Sequence, residues 1–193
     1  MNMSIDQPHK RRIRGDVFVW VLIFGDMTNF MLGFAYYGLL RNADLELFRQ
    51  SQESLSIPIG ATNSLILLLS SWLMVLALSC VRLGKHKQAA NFVIATFVCA
   101  IVFTLLKGWE FSEKSNAGIH FLTNDFYTLY YTLTGLHFTH VVVGAMLLAC
   151  YAYILKKQTM TPTKLFYFET TAIYWHMVDL LWIIIFTLMY LLP

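Results

Sequence analysis

Apolar residues fill five long stretches of the chain, and clusters of charge, glycine or proline separate them. The stretches are residues 17–40, 64–81, 89–106, 126–155 and 170–192. Because an α-helix rises about 1.5 Å per residue, each stretch can cross a hydrocarbon core of about 30 Å. Short segments of alternating polarity, which would indicate a transmembrane barrel, are absent from the sequence. The pattern predicts an all-α, polytopic membrane protein with a bundle of five transmembrane helices.

Composition supports a membrane protein. Hydrophobic residues make up 58% of the 193 residues and charged residues only 13%, whereas soluble domains contain about 25% charged residues. No repeat or polar linker divides the chain, so we expect residues 1–193 to form a single membrane domain. The first apolar stretch is too long for the core of a signal peptide and lacks a small-residue cleavage site, so we expect it to be retained as a span.

Charges in the loops predict the orientation. Ten of the 14 Lys and Arg residues fall in the N-terminal tail and in the loops after spans two and four. Because cytoplasmic loops are rich in Lys and Arg, we expect the N-terminus in the cytoplasm and the C-terminus outside. We assign Lys107 to a loop on the outer side. The dispersed basic residues suit anionic lipid head groups and give no reason to expect a nucleic acid partner.

Asp26 is the most unusual residue of the first span. It lies about ten residues into that span, close to Thr28 and Asn29. An Asp at the centre of a transmembrane helix costs about 2.5–3.5 kcal/mol, and desolvation favours its neutral form. Two interpretations remain open: a hydrogen-bonded packing carboxyl, or an acid that exchanges protons or contacts a lipid head group.

Four more polar side chains occur at depth in the last two spans. His137 and His140 are three residues apart in span four, and His176 and Asp179 have the same spacing in span five. Residues at i and i+3 share a helix face. Together with small residues such as Gly144, the first pair forms a stripe suited to close helix packing. We expect these four side chains to form one interhelical hydrogen-bonding network.

The same side chains, together with Asp26, allow a different hypothesis. Two His from one helix and a His and an Asp from another are possible ligands for a metal, and a pair of His could hold a haem. The chain would then be a stand-alone membrane metalloenzyme, or an ion or proton transporter. We expect no catalytic residue and no metal site, because the sequence offers neither a complete ligand set nor a nucleophile with a base.

Three motifs resemble subunit III of the haem-copper oxidases. Residues 134–144 read TGLHFTHVVVG, residues 169–182 read ETTAIYWHMVDLLW, and residues 103–114 read FTLLKGWEFSEK. The motifs keep the order and approximate spacing of the family. Leu136 and Phe138 depart from the pattern, which has Phe and Gly there, and the first span has Asp26 where Glu is common.

The resemblance implies a non-catalytic subunit. The five spans match the short form found in bacterial quinol oxidases and in the subunit-III-like accessory protein of nitric oxide reductase gene clusters. Such a subunit carries no haem, copper or other cofactor and lies in the bacterial inner membrane. It packs beside the catalytic subunit I and further subunits, binds phospholipid in a cleft, and supports assembly and proton supply. The polar segment 41–63 would leave room for that cleft behind the first span.

The resemblance also implies which residues matter. We expect a buried structural network that comprises Asp26, His137, His140, Glu169, His176 and Asp179. We expect residues that contact lipid in the cleft, or that act in proton transfer, to include Asp26, Glu110, Trp109 and Trp175.

Overall fold

The computed structural model describes residues 17–192 as a helical bundle. The helices are α1 (Val17–Ala43), α2 (Leu45–Glu53), α3 (Ile57–Arg82), α4 (His86–Asn116), α5 (Asp125–Lys157) and α6 (Pro162–Phe186), and a π-helical turn (Thr187–Leu191) continues α6. Within this described range, all of the α-helices except α2 are long and apolar enough to cross a membrane. The predicted all-α fold with five spans is confirmed.

The helices extend beyond the predicted spans. Helix α3 begins at Ile57 rather than at residue 64, α4 continues to Asn116 rather than ending at 106, and α6 begins at Pro162 rather than at 170. Asn124 and Thr161 cap α5 and α6, because their side-chain oxygens accept backbone N–H groups of the first turn. The apolar runs therefore predicted the membrane-spanning part of each helix. The ends of the helices are set by capping residues and turns.

The segment 41–63, which we expected to be a polar loop, contains a helix. Most of it folds into α2 and the first turns of α3. Phe48 of α2 is buried, and its ring packs edge-on against Tyr37 of α1 and Phe126 of α5, with ring centroids 5.4 and 5.6 Å apart. Helix α2 thus covers one end of the bundle, which we call the α2 end.

Basic residues gather at the opposite end, which we call the basic end. In the described part of the chain they are Arg82, Lys85, Lys87, Lys156, Lys157 and Lys164. The N-terminal basic residues Lys10, Arg11, Arg12 and Arg14 lie outside the described residues. The turn between α3 and α4 uses Gly84 in the left-handed region, with a φ of 72°, a conformation that glycine adopts without strain.

Helices α3 to α6 form the main bundle, and α1 lies along its side. Helix α3 packs against α4 and α6, α5 packs against the same two helices, and the main contacts of α1 with other spans are to α5 and α6. Gly144 lets α5 approach α6 closely, because a Cβ at this position would lie 2.7 Å from ring carbons of Trp175. The close packing that we predicted for this stripe of α5 is confirmed at Gly144.

Candidate functional site

Asp26 of α1 and His140 of α5 meet at depth in the membrane-spanning region. His140 Nε2 lies 3.1 Å from Asp26 Oδ2, and His140 Nδ1 lies 2.8 Å from the carbonyl oxygen of Leu136. A carbonyl oxygen can only accept a hydrogen bond, so Nδ1 must carry a proton. The contact between Nε2 and Oδ2 then needs one further proton, which belongs either to the imidazole or to the carboxyl. The pair therefore forms a hydrogen bond between α1 and α5.

A cavity of about 560 Å³ lies beside this pair, between α1, α5 and α6. Asp26 and His140 line it, but most of its wall is apolar. Leu22 of α1 and Val143 of α5 line the cavity and are also exposed on the molecular surface, so the cavity opens toward the membrane. Its position corresponds to the cleft that we expected behind the first span, and its volume lies within the range of about 300–1,000 Å³ that is typical of ligand pockets.

The network that we expected among the histidines and Asp179 does not form as one unit. His176 Nδ1 instead contacts the hydroxyl of Ser71 on α3, 2.7 Å away. His137 has no hydrogen-bond partner in the described part of the chain. Its ring packs against Phe103 and Trp182, with centroid distances of 5.7 and 5.4 Å.

Helix geometry explains this separation. Positions i and i+3 differ by about 60° around an α-helix. On α5 this angle turns His140 toward α1, whereas His137 points into the main bundle. On α6, His176 reaches α3, and Asp179 is buried without a hydrogen bond to any described residue. Ser71 interacts with the Asp179 carboxyl but lacks hydrogen-bond geometry toward it.

A second polar cluster lies inside the bundle near the α2 end; we call it the Lys107 cage. The ammonium of Lys107 donates hydrogen bonds to Glu110 Oε2 at 2.9 Å, to the Tyr130 hydroxyl at 3.0 Å and to the Tyr190 hydroxyl at 2.6 Å. Both tyrosine hydroxyls donate to Glu110 Oε1, at 3.0 and 2.6 Å. None of the four residues is more than 2% exposed. Every N–H of the ammonium is used, as a buried charge requires.

Our assignment of Lys107 to an outer loop was wrong, because α4 continues past it for more than two turns. An apolar run that ends before a basic residue predicts the end of a span, but here the helix continues inside the bundle. The useful signal was the Lys107–Glu110 spacing, since residues at i and i+3 of a helix can pair. Tyr190 completes the cage from the π-helical turn, and its contribution had no local signal in the sequence.

Glu169, which we expected in the buried network, lies instead near the basic end. Its carboxylate pairs with Arg82 of α3, 2.7 Å away. Arg82 is exposed and Glu169 is half-buried. A pair so accessible to solvent contributes about 0–1 kcal/mol. It connects α3 with α6 but does not touch the cavity.

The other residues that we expected at the lipid cleft lie elsewhere. Trp109 is 58% exposed on the outer surface of α4. Trp175 is fully buried, and its indole N–H donates to the Ser70 hydroxyl at 3.1 Å. Glu110 belongs to the Lys107 cage. Of the four candidates, Asp26 is the one that lines the cavity.

Comparison with known proteins identifies the family. The family model described as cytochrome c oxidase subunit III matches residues 50–192, which include α3 to α6 and all three motifs. This chain belongs to the cytochrome c oxidase subunit III family. The resemblance to haem-copper oxidase subunit III is therefore confirmed, and the Asp26–His140 pair and the Lys107 cage are features of a subunit III family member.

Three relatives show how the chain compares in length with other subunit III proteins. It is 27% identical to cytochrome bo(3) ubiquinol oxidase subunit 3 of Buchnera aphidicola, over 90% of this chain and 84% of the relative. It is 23% identical to the probable quinol oxidase subunit 3 of Staphylococcus saprophyticus, over 98% of this chain and 94% of the relative. It is 32% identical to cytochrome c oxidase subunit 3 of Gallus gallus, over 66% of this chain and 48% of the relative. The two quinol oxidase subunits therefore match it over most of their length.

Proposed function

We propose that this protein is a non-catalytic membrane subunit of a haem-copper respiratory complex, and that the complex is a quinol oxidase. The near full-length similarity to two quinol oxidase subunits supports this proposal. Its main partner would be the catalytic subunit I, and further subunits would complete the complex. The whole chain would act as one membrane domain that supports assembly, lipid binding and proton supply.

The observation that carries the supporting role is the cavity beside α1. It is apolar, opens toward the membrane, and has the Asp26–His140 pair in its wall. Such a site suits a phospholipid acyl chain, because apolar walls accept methylene groups and the polar pair can hydrogen-bond an ester or a bound water. A lipid held there would fill the space between α1 and the main bundle and stabilise the position of α1.

The Asp26–His140 pair suits a role in proton supply. A carboxyl and an imidazole are both groups that exchange protons, and here one hydrogen bond joins them. His140 and Asp26 are partly exposed to the cavity, so water or a lipid head group can reach them. We propose that the pair takes up and releases a proton during turnover of the complex.

The same proposal includes the position of the chain in the membrane. The positive-inside rule applied to the basic end gives a cytoplasmic basic end and an outward α2 end. The C-terminus, which follows the π-helical turn at the α2 end, would then be outside. We propose the inner membrane of a bacterium as the location, since the relatives that match in length are bacterial.

Co-purification tests the proposed function. The tagged chain is purified in mild detergent, its largest partner is identified by mass spectrometry, and haem and metal contents are measured. We expect a catalytic haem-copper subunit with oxygen-reducing, quinol-dependent activity. A nitric oxide reductase as the partner would retain the accessory role and overturn the choice of complex. A chain that purifies alone with one bound metal, lost in His140→Ala, would overturn the accessory role.

A further inference from the structure

Three polar side chains deep in the main bundle make no hydrogen bond to any described residue, although the Ser71 hydroxyl interacts with one of them, Asp179. Asn63 and His137 have no accessible surface and Asp179 is 3% exposed, and none of their side-chain nitrogen or oxygen atoms is hydrogen-bonded within residues 17–192. About nine in ten buried polar groups in proteins have a partner. Leaving one unpaired costs about 1–3 kcal/mol. Three such side chains in one bundle therefore indicate an occupant that supplies hydrogen bonds.

The contacts of Trp182 show that Asn63, His137 and Asp179 lie at similar heights along the axis of the bundle. Its indole N–H donates to the hydroxyl of Ser64, the residue next to Asn63, at 3.0 Å. Its ring also packs on His137, at a centroid distance of 5.4 Å. Asp179 precedes Trp182 by about one helical turn on α6. Asn63, His137 and Asp179 therefore occupy two adjacent layers around one tryptophan.

The Lys107 cage lies next along the bundle toward the α2 end. Lys107 follows Phe103 by about one turn of α4, and the Phe103 ring contacts both His137 and Trp182. The cage also approaches the surface, because Glu110 lines one pocket at the α2 end and Tyr190 lines another. Buried polar groups are therefore present from the α2 end, through the Lys107 cage, to the layers that contain Asn63, His137 and Asp179.

The opposite side of these layers has bulky apolar side chains, together with hydroxyl groups that already have partners. Ser70 donates to the Leu67 carbonyl and Thr96 to the Phe92 carbonyl. Met74, Val93 and Phe168, from α3, α4 and α6, are fully buried and lie toward the basic end. Between them and Asp179, Trp175 is also fully buried and is bonded to Ser70. Toward the basic end the buried hydroxyls are paired and packed among bulky apolar side chains, so the unpaired groups are continuous only with the α2 end.

We propose that bound water molecules occupy the interior among Asn63, His137 and Asp179 and form a hydrated column that reaches the Lys107 cage from the α2 end. A buried water typically makes about three hydrogen bonds, and an amide, an imidazole and a carboxyl can provide them. The column is separate from the cavity that contains Asp26 and His140. It does not depend on the identity of the respiratory complex.

Radiolytic hydroxyl labelling of the purified complex tests this proposal. A millisecond X-ray pulse in H₂¹⁸O generates hydroxyl radicals from bound water, and mass spectrometry locates the added oxygen. Phe103 and Phe168 form a matched pair, because both are phenylalanines with no accessible surface. We expect Phe103, beside His137, to be labelled, and Phe168 to remain unlabelled. Phe121, exposed in the loop before α5, reports the dose in bulk solvent.

Two variants of similar shape extend the test. Asn63→Leu and His137→Phe each remove an unpaired polar group, so both are expected to fold and to lower Phe103 labelling by about threefold or more as bridging waters are lost. Met74→Leu, on the closed side, should leave the labelling unchanged. Equal labelling of Phe103 and Phe168 in the native complex would overturn the proposal, as would Phe103 labelling that persists in both variants.

Discussion

Asp26 and His140 lie on different helices, and the contact between their carboxyl and imidazole is a polar link between α1 and the main bundle. Because the Leu136 carbonyl fixes the proton on His140 Nδ1, the link depends on a proton in the contact itself. In the proposed function, this one pair of side chains both connects α1 to the bundle and exchanges a proton. Substitutions that preserve the link but remove its titration can separate these two roles.

Asp26→Asn tests proton exchange. The amide can donate to a neutral Nε2, so we expect the subunits to remain together. The amide does not titrate, so the companion enzyme should inactivate faster during turnover, which is measured as activity against time at matched lipid content. Asp26→Ala also removes the link and should lower the stability in detergent by about 0.6–1.7 kcal/mol. An unchanged lifetime in Asp26→Asn would assign the pair to packing alone.

A bulky residue in the cavity tests lipid binding. Val143 lines the cavity on α5, so we expect Val143→Trp to fill it and to lower the amount of phospholipid that remains with the complex in native mass spectrometry. Leu136→Trp is the control, because Leu136 is also exposed on α5 but lies about two turns away and outside the cavity. Equal lipid loss in both variants would contradict a specific site.

Lys107→Met tests the Lys107 cage. It leaves Glu110 buried without its cation, and breaking a buried ion pair in this way costs about 3–5 kcal/mol. Thermal unfolding in detergent should show this loss. The double variant Lys107→Met with Glu110→Gln removes both charges and should recover much of the stability. A single variant as stable as the native protein would show that the ion pair contributes little.

Gly144→Ala tests the contact between α5 and α6. The new methyl group would meet the rigid ring of Trp175, and such overpacking costs about 1–3 kcal/mol. Gly135→Ala on the same helix is the control, since a Cβ there has no neighbour within 4 Å. Because alanine favours helix over glycine by about 1 kcal/mol, the control should be neutral or more stable in thermal unfolding.

The number of spans could be predicted from the sequence because apolar length is a local property. Each of the five apolar runs lies in one of the five spanning helices of the described chain, but the ends were less accurate, as α4 shows. Its last turns carry Lys107 and Glu110, which neutralise each other inside protein rather than facing water. The spacing of this pair was a local signal, but Tyr130 and Tyr190, which complete the cage, are distant in sequence. The sequence near Lys107 therefore did not show that the charge is buried.

The partners of the buried polar residues could not be predicted from the sequence, because they also depend on the three-dimensional packing. The depth of Asp26, His137 and His140 followed from their positions in spans, but their partners depend on how each helix is rotated. A rotation of about 60° decides whether a side chain meets α1 or the main bundle. Helix packing sets that angle, so the pairing of His140 with Asp26 emerged only in three dimensions.

The position of α1 beside α5 and α6 has a consequence for biosynthesis. Among the described spans, α1 leaves the ribosome before the others, yet its principal partners, α5 and α6, follow α3 and α4 in the chain. At about 5–20 residues per second, synthesis from Ala43 to Asp125 takes several seconds. The contact between Asp26 and His140 can form only after α5 has been made, so we expect the Asp26 carboxyl to be without this partner for that time.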